Sequence, residues 1–157
     1  MLNLEKILEP GEFAQVGFVV NNLQEAKEAF AKLFGVDVPE NVSGGEYEIT
    51  KATTFGKPSP DVSIQMAFFD LSDGVALELI EPNEVSSVWR DHLEKYGEGI
   101  HHIAFRVKDI DTTAAKLKEV FGAVEESQGL YGDASGRYMY LNTQKILKCR
   151  LELLQSF

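Results

Sequence analysis

The sequence has little of three things: cysteine, basic residues and long apolar runs. Its single cysteine, Cys149, excludes an intramolecular disulfide and is typical of a protein from a reducing compartment. No apolar run approaches the roughly 20 residues that a membrane-spanning helix needs. The first residues also lack the basic segment and apolar core of a secretory signal peptide. We therefore expect a cytoplasmic protein with no membrane partner.

Basic side chains are outnumbered, since 15 Lys and Arg stand against 25 Asp and Glu, for a net charge of −10. Nucleic-acid binding requires clustered cations to neutralise phosphates, and the sequence does not supply them. A small anionic ligand held by one or two arginines stays compatible with this charge. We therefore expect a small-molecule substrate and no nucleic-acid partner.

What the sequence does contain is an internal repeat, because residues 15–35 align without a gap over residues 102–122. Each copy starts with residues that alternate between apolar and polar or small, the pattern of a strand with one buried face. A cap residue follows, Asn22 or Asp109, and apolar residues then recur at helical spacing up to a glycine. Each copy therefore begins with a strand and a helix.

Further strands are predicted after each helix. They cover residues 46–54, 63–71 and 75–80 in the first half, and residues 124–127, 138–141 and 148–154 in the second. The prediction is an α+β fold in which two βαβββ modules form curved sheets around a shared cleft. We divide this one compact domain into an N-terminal arm (1–12), a first module (13–82), a linker with a short helix (83–99) and a second module (100–157).

Four polar residues occupy matching places in the two copies. Gln15 and His102 open the first strand of each copy, and Glu78 and Glu152 lie in the middle of the last strand. An unpaired carboxylate between buried leucines is costly, and a metal ion would supply the missing partner. The donor set suits Zn²⁺, Ni²⁺, Co²⁺ or Mn²⁺, and we expect Glu152 to act also as the catalytic base.

Each of these residues taken alone has a simpler explanation, and the metal hypothesis depends on their shared place in the repeat. Alternation also directs Arg106 and Arg150 into the cleft, where they bind a substrate carboxylate or phosphate or form a salt bridge to Glu78 or Glu152. We interpret His101 as structural, because alternation sends it to the opposite face of the strand. His92 is predicted to lie on the surface.

At these residues the chain resembles the vicinal oxygen chelate superfamily, which includes glyoxalase I, methylmalonyl-CoA epimerase, fosfomycin-resistance proteins and extradiol dioxygenases. Residues 77–82, followed by residues 97–105 with the sequence Gly-Glu-Gly-Ile-His-His-Ile-Ala-Phe, are most similar to the epimerase branch. The resemblance implies paired βαβββ modules, a divalent metal on the four residues named above, and a homodimer.

The chain also departs from these relatives. Gln15 stands where most epimerases have histidine, although some glyoxalase I enzymes have glutamine there. Val19 and Pro82 replace the arginine and asparagine that hold glutathione in glyoxalase I, which argues against glutathione as a ligand. The second acid/base carboxylate of the epimerases has only a rough counterpart, Asp61.

Two functions remain open at this point. The first is a metal-dependent lyase, isomerase or epimerase that moves a proton next to a metal-bound carbonyl. The alternative is a non-catalytic protein that sequesters a small molecule in the same cleft, as antibiotic-binding members of the superfamily do. A ring-cleaving dioxygenase fits poorly, because such sites usually combine two histidines with one carboxylate.

Overall fold

The computed structural model describes residues 5–157, and its elements follow the internal repeat. The first copy forms β1 (Phe13–Val19), α1 (Leu23–Phe34), β2 (Val42–Ser43), α2 (Tyr47–Thr50), β3 (Thr53–Thr54), β4 (Lys57–Pro58), β5 (Ile64–Ser72) and β6 (Val75–Pro82). Helix α3 (Val88–Tyr96) leads to the second copy, which forms β7 (Gly99–Arg106), α4 (Ile110–Phe121), β8 (Val124–Leu130), β9 (Gly136–Asn142), α5 (Gln144–Leu147) and β10 (Arg150–Ser156). None of the helices within residues 5–157 is both long enough and apolar enough to cross a membrane.

The two long helices begin and end as the repeat predicts. Asn22 accepts a hydrogen bond from the backbone N–H of Glu25, and Asp109 accepts one from that of Thr112. These contacts satisfy backbone donors that have no partner inside the first turn of a helix. Gly35 and Gly122 end α1 and α4 in the left-handed conformation, with φ of 67° and 64°. A side chain would be strained there, and glycine is not.

All ten strands within residues 5–157 belong to one sheet, in the order β2-β5-β6-β1-β7-β10-β9-β8-β3-β4. In each half, the first strand pairs in parallel with the last, β1 with β6 and β7 with β10. The halves join where β1 and β7 run antiparallel at the centre of the sheet. The fold is therefore α+β, with two βαβββ modules around one cleft, and the sequence prediction of the fold class is confirmed.

Two apolar clusters fix the helices against the outer face of this sheet. Helix α1 packs on the first half through Leu23 and Ala31, and α4 packs on the second half through Ile110 and Leu117. Each fully buried leucine or isoleucine contributes about 1.5 to 3 kcal/mol. Because the outer face is filled by these helices, the inner face of the central strands is left for the cleft.

Helix α3 packs elsewhere, near the seam between the two halves. Its Val88, Trp89 and Leu93 form a third buried cluster with Val19 of β1 and other residues of both modules. Here the prediction for His92 was wrong, because only 4% of His92 is exposed. The pattern of apolar residues along α3 could not show that the second module also covers the polar side of this helix.

The segment 46–54 was also predicted incorrectly as a strand. It forms the short helix α2, which ends at Lys51 with a φ of 47°, and then the two-residue strand β3. Strand β3 pairs with β8 of the other half, Thr53 opposite Gln128. This pairing covers an otherwise open sheet edge, which is a tertiary effect that local propensity does not contain.

The predicted arm is partly visible in the structure. Residues 1–4 lie outside the described residues, whereas Ile7 and Leu8 pack against the apolar cluster of the second half. The predicted boundaries 1–12, 13–82, 83–99 and 100–157 stay a prediction.

Candidate metal centre

The four residues that the repeat singled out lie on adjacent central strands. Glu78 of β6 pairs with Gly17 of β1, and Gly17 pairs on its other side with His102 of β7. Two residues along the strands, Ala104 of β7 is flanked in the same way by Gln15 of β1 and Glu152 of β10. The register therefore brings together side chains that are far apart in sequence.

Three of these side chains converge within a single chain. His102 Nε2 lies 3.1 Å from Glu78 Oε2 and 3.1 Å from Glu152 Oε2. Glu78, His102 and Glu152 each offer one ligand atom, and the three atoms lie within 4.8 Å of one another. All three residues are buried, with exposed fractions of 5%, 0% and 5% in that order.

Burial and charge act in opposite directions on His102. Burial by itself lowers the pKa of His102, but the carboxylates of Glu152 and Glu78 outweigh it and raise that pKa to about 9. Burial raises the pKa of Glu78, partly offset by His102. Without a metal, a proton held by this cluster is therefore the positive charge that offsets the two buried carboxylates.

That proton does not satisfy the cluster. Glu78 Oε2, His102 Nε2 and Glu152 Oε2 have no hydrogen-bond partner among residues 5–157. The 3.1 Å separations are within ion-pair range, but one ring nitrogen carries at most one hydrogen and cannot align it with two oxygens. Three buried, unpartnered donor atoms around one point fit a divalent cation, and a mixed nitrogen and oxygen set is typical of Zn²⁺, Ni²⁺, Co²⁺ or Mn²⁺.

Gly17 makes room for this arrangement. A Cβ at position 17 would overlap the imidazole ring of His102. The glycine in the middle of β1 therefore has a specific reason, which is the close approach of the ring from the neighbouring strand.

The cluster lies in the wall of a cavity of about 600 Å³. Gln15, Glu78 and Glu152 all line this cavity, so the fourth predicted ligand faces the same space as the two carboxylates. Most of the remaining wall is apolar or aromatic. Its large side chains are Ile64, Met66, Phe68, Trp89, Leu130, Tyr131, Tyr138, Tyr140 and Leu154.

Three of these wall residues are tyrosines that sequence reasoning missed. Burial and the nearby Glu152 carboxylate raise the pKa of Tyr131 and Tyr138 to about 12 and that of Tyr140 well above its usual value. All three hydroxyls therefore stay protonated and can donate hydrogen bonds to an anionic ligand. Tyr140 stands opposite Glu152 in the β9–β10 pairing, so alternation along β9 was a usable signal for it and for Tyr138.

The two predicted substrate-binding arginines make contacts within the protein. Arg150 is buried, and its Nε donates to Glu126 Oε2 at 2.7 Å while its Nη1 donates to His92 Nδ1 at 2.6 Å. Arg106 is exposed, and its Nη2 donates to the carbonyl oxygen of Gly74 at 2.6 Å. The ion-pair alternative thus applies to Arg150 with a different acid from those expected, and a substrate role for either arginine stays a prediction.

Asp61 lies outside the cavity wall, although its neighbours Val62 and Ser63 contribute to it. Its carbonyl oxygen accepts a hydrogen bond from the side chain of Asn83, and the residue is exposed. The structure gives Asp61 no place next to the cluster.

Comparisons with known proteins agree with this architecture. Residues 14–140 match the Glyoxalase/Bleomycin resistance protein/Dioxygenase superfamily. Over 128 residues the chain is 30% identical to an ethylmalonyl-CoA/methylmalonyl-CoA epimerase of Cereibacter sphaeroides, covering 76% of this chain and 92% of that protein. A variant of Streptomyces coelicolor methylmalonyl-CoA epimerase in complex with 2-nitronate-propionyl-CoA superposes with a TM-score of 0.61 at 27% identity, covering 92% of this chain and 96% of that one. The Mycobacterium tuberculosis methylmalonyl-CoA epimerase, at 22% identity and a TM-score of 0.61, covers 93% of this chain and 88% of its own and shares the fold.

Proposed function

The chain belongs to the glyoxalase/bleomycin resistance protein/dioxygenase superfamily, and within it we propose that the protein is a divalent-metal-dependent epimerase, isomerase or lyase that moves a proton at the carbon beside a carbonyl group. The observation that carries this proposal is the convergence of three buried, unpartnered ligand atoms in the wall of a cavity. The epimerase relatives make malonyl-type CoA thioesters the first substrates to test.

Glu78, His102 and Glu152 would hold the metal, and Gln15 would complete the set from the same cavity wall. A bound divalent cation supplies Lewis-acid polarisation of a carbonyl oxygen, which makes the adjacent C–H bond more acidic. The apolar wall binds the acyl portion of the substrate and excludes water from the reacting carbon. Exclusion of water strengthens each electrostatic interaction inside the cavity.

Glu152 is the residue that we assign as the base. Its carboxylate lines the cavity that would receive the substrate. In the proposed reaction this carboxylate takes the proton from the substrate carbon and returns it to the same or the adjacent carbon. Inversion at one carbon also requires a donor on the other face of the substrate, and the protonated tyrosines of the wall are candidates for that role.

A direct test follows the substrate proton. The protein would be loaded in turn with Zn²⁺, Ni²⁺, Co²⁺ and Mn²⁺, and wash-in of deuterium at the α-carbon of methylmalonyl-CoA and ethylmalonyl-CoA would be followed by NMR in D₂O. Glu152→Gln, assayed at saturating metal, is expected to lose at least about 100-fold in exchange rate. Glu119→Gln, which changes an exposed residue of α4, serves as the control. Full metal content and full exchange in Glu152→Gln would contradict the assigned role.

A binding protein without catalysis is the second candidate, and the aromatic cavity of about 600 Å³ favours it. Flat apolar molecules fit such a wall well. The same exchange experiment separates the two functions. Tight binding of an aromatic ligand, together with no proton exchange at any metal loading, would favour the binder.

A further inference from the structure

His101, the residue next to the central histidine of the cluster, makes two hydrogen bonds inside the protein. Its Nε2 lies 3.0 Å from the carbonyl oxygen of Val88, and its Nδ1 lies 3.0 Å from Nδ1 of His102. The two rings are nearly perpendicular, at 86°, with their centroids 5.3 Å apart. Both residues are completely buried, so water does not compete for these contacts.

The Val88 carbonyl oxygen determines where the hydrogens of both histidines lie. A carbonyl oxygen can only accept, so the proton of His101 must be on Nε2, where it faces Val88. In a neutral imidazole the other nitrogen, Nδ1, then carries a lone pair and accepts. Because it accepts from His102 Nδ1, the proton of His102 is on that atom. In the neutral form of His102, which is the form that binds a metal, the lone pair is therefore on Nε2 and faces Glu78 and Glu152.

We propose that His101 is a positioning residue that holds His102 in the tautomer whose Nε2 is free to bind a metal. This inference depends on the proposed metal centre. Metal-binding histidines commonly donate their second N–H to a carbonyl or a carboxylate, which fixes the ring and its tautomer. Here an imidazole takes that place, and it transmits to His102 the preference that the Val88 carbonyl imposes on His101.

The surroundings of His101 restrict its ring to this orientation. The ring of His92 packs against it at a centroid distance of 4.9 Å, and that of Tyr140 at 5.5 Å. Val88 is the first residue of α3, directly after Ser87, whose side chain caps the helix by accepting from the N–H of Arg90. Helix α3 therefore fixes the position of the Val88 carbonyl. That carbonyl fixes the tautomer of His101, and His101 in turn fixes the tautomer of His102.

The first experiment measures which ring nitrogen carries the hydrogen in the wild-type protein. Long-range ¹H–¹⁵N correlation spectra of the zinc-loaded and metal-free protein are expected to show His101 protonated on Nε2 only. In the zinc-loaded protein, His102 is expected to carry its proton on Nδ1. A proton on Nδ1 of His101 would overturn the proposal without any variant having to fold.

The second experiment compares two nearly isosteric replacements, with Zn²⁺ and Co²⁺ as the titrated metals. His101→Asn keeps an acceptor close to the place of Nδ1, whereas His101→Leu removes it. Metal affinity is expected to fall about 10- to 100-fold in His101→Leu and to stay within about 3-fold of wild type in His101→Asn. The absorption bands of bound Co²⁺ report the ligand geometry in each variant.

The outcomes distinguish the role of His101 from the existence of the metal centre. Equal losses in both variants would show a packing role, and unchanged affinity in His101→Leu would show no role, so either result overturns the assignment of His101. Failure of the wild-type protein to bind any of the four metals would instead overturn the metal centre, whatever tautomer His101 has.

Discussion

The two halves of the molecule place equivalent residues around one centre, and they differ where the centre demands it. Gln15 and His102 are equivalent, as are Gly17 and Ala104, which lie two residues further along each strand. The glycine accompanies the glutamine, but it faces the histidine, because β1 and β7 run antiparallel. An imidazole ring next to Gly17 leaves no space for a Cβ, whereas Ala104 keeps its methyl group beside Gln15.

The periphery differs more. Strand β2 of the first half has two residues, whereas its counterpart β8 has seven, and β8 also pairs with β3 from the first half. The centre of the sheet thus keeps the repeat nearly intact while its edges have diverged. Ligand geometry tolerates little change, whereas edge strands only have to be covered.

The largest expected effect comes from making the second half like the first. His102→Gln would leave two amides and two carboxylates and remove the nitrogen ligand. We expect the affinity for Zn²⁺ to fall at least about 100-fold, since an amide oxygen is a much poorer zinc ligand than imidazole. Isothermal titration with Zn²⁺ measures this loss. In the matched variant Gln15→Ala the loss is expected to be about 10-fold, and equal losses in the two variants would contradict the distinction.

The next largest effect is a difference between substitutions of the two equivalent carboxylates. Glu78→Gln and Glu152→Gln both weaken metal binding, because each removes one negative charge from the buried cluster. At saturating metal, however, only Glu152→Gln should lose α-proton exchange by about 100-fold or more, and Glu78→Gln should stay within about 10-fold of wild type. A larger loss of exchange in Glu78→Gln than in Glu152→Gln would show that Glu78, in the first half, is the base.

The small residues offer a reciprocal pair of changes. Gly17→Ala introduces the overlap with the His102 ring, so the ring has to shift and metal affinity should fall about 10-fold, with a loss of about 1 to 3 kcal/mol in the free energy of unfolding. Ala104→Gly creates no overlap and should cost only about 0.5 to 1 kcal/mol. Metal titration and urea unfolding measure both effects. An unchanged metal affinity in Gly17→Ala would show that the ring moves freely.

The smallest effect concerns pH. Burial, reinforced by the charge of Arg150, lowers the pKa of His92 from 6.5 to about 4. Between these values the unfolded chain binds a proton that the folded protein does not, so stability falls as the pH drops from 6.5 towards 4. We expect His92 to account for about 1 to 2 kcal/mol of that loss. Urea unfolding at pH 7 and pH 4.5 should show a shallower pH dependence in His92→Gln, and an equal slope in both proteins would exclude this contribution.

The features that sequence reasoning identified are those encoded by local patterns. The caps Asn22 and Asp109 and the alternation that aims Gln15 and His102 at one face each depend on a few neighbouring residues. The repeat then related the two glutamates to them. For these features, the spacing of apolar residues and the position within the repeat were enough to make the prediction.

Other parts of the site depend on which segments meet in three dimensions. Trp89 and Tyr131 enter the cavity wall from the linker helix and from a loop, and neither has a counterpart in the repeat. Arg150 does alternate with Glu152, but Glu126 and His92 compete for it inside the protein. Such competition is not visible in one strand at a time. The predicted homodimer stays a prediction, while the three converging ligand atoms come from one chain.

The pairing of β3 with β8 has a consequence for synthesis on the ribosome. Thr53 belongs to the first half, but its partner across β8, Gln128, belongs to the second half. While the first half emerges, β3 can pair with β4 but not yet with β8, so this part of the protein cannot reach its final structure until the second half has been made. The nascent first module therefore keeps one edge of β3 unpaired until β8 has been made.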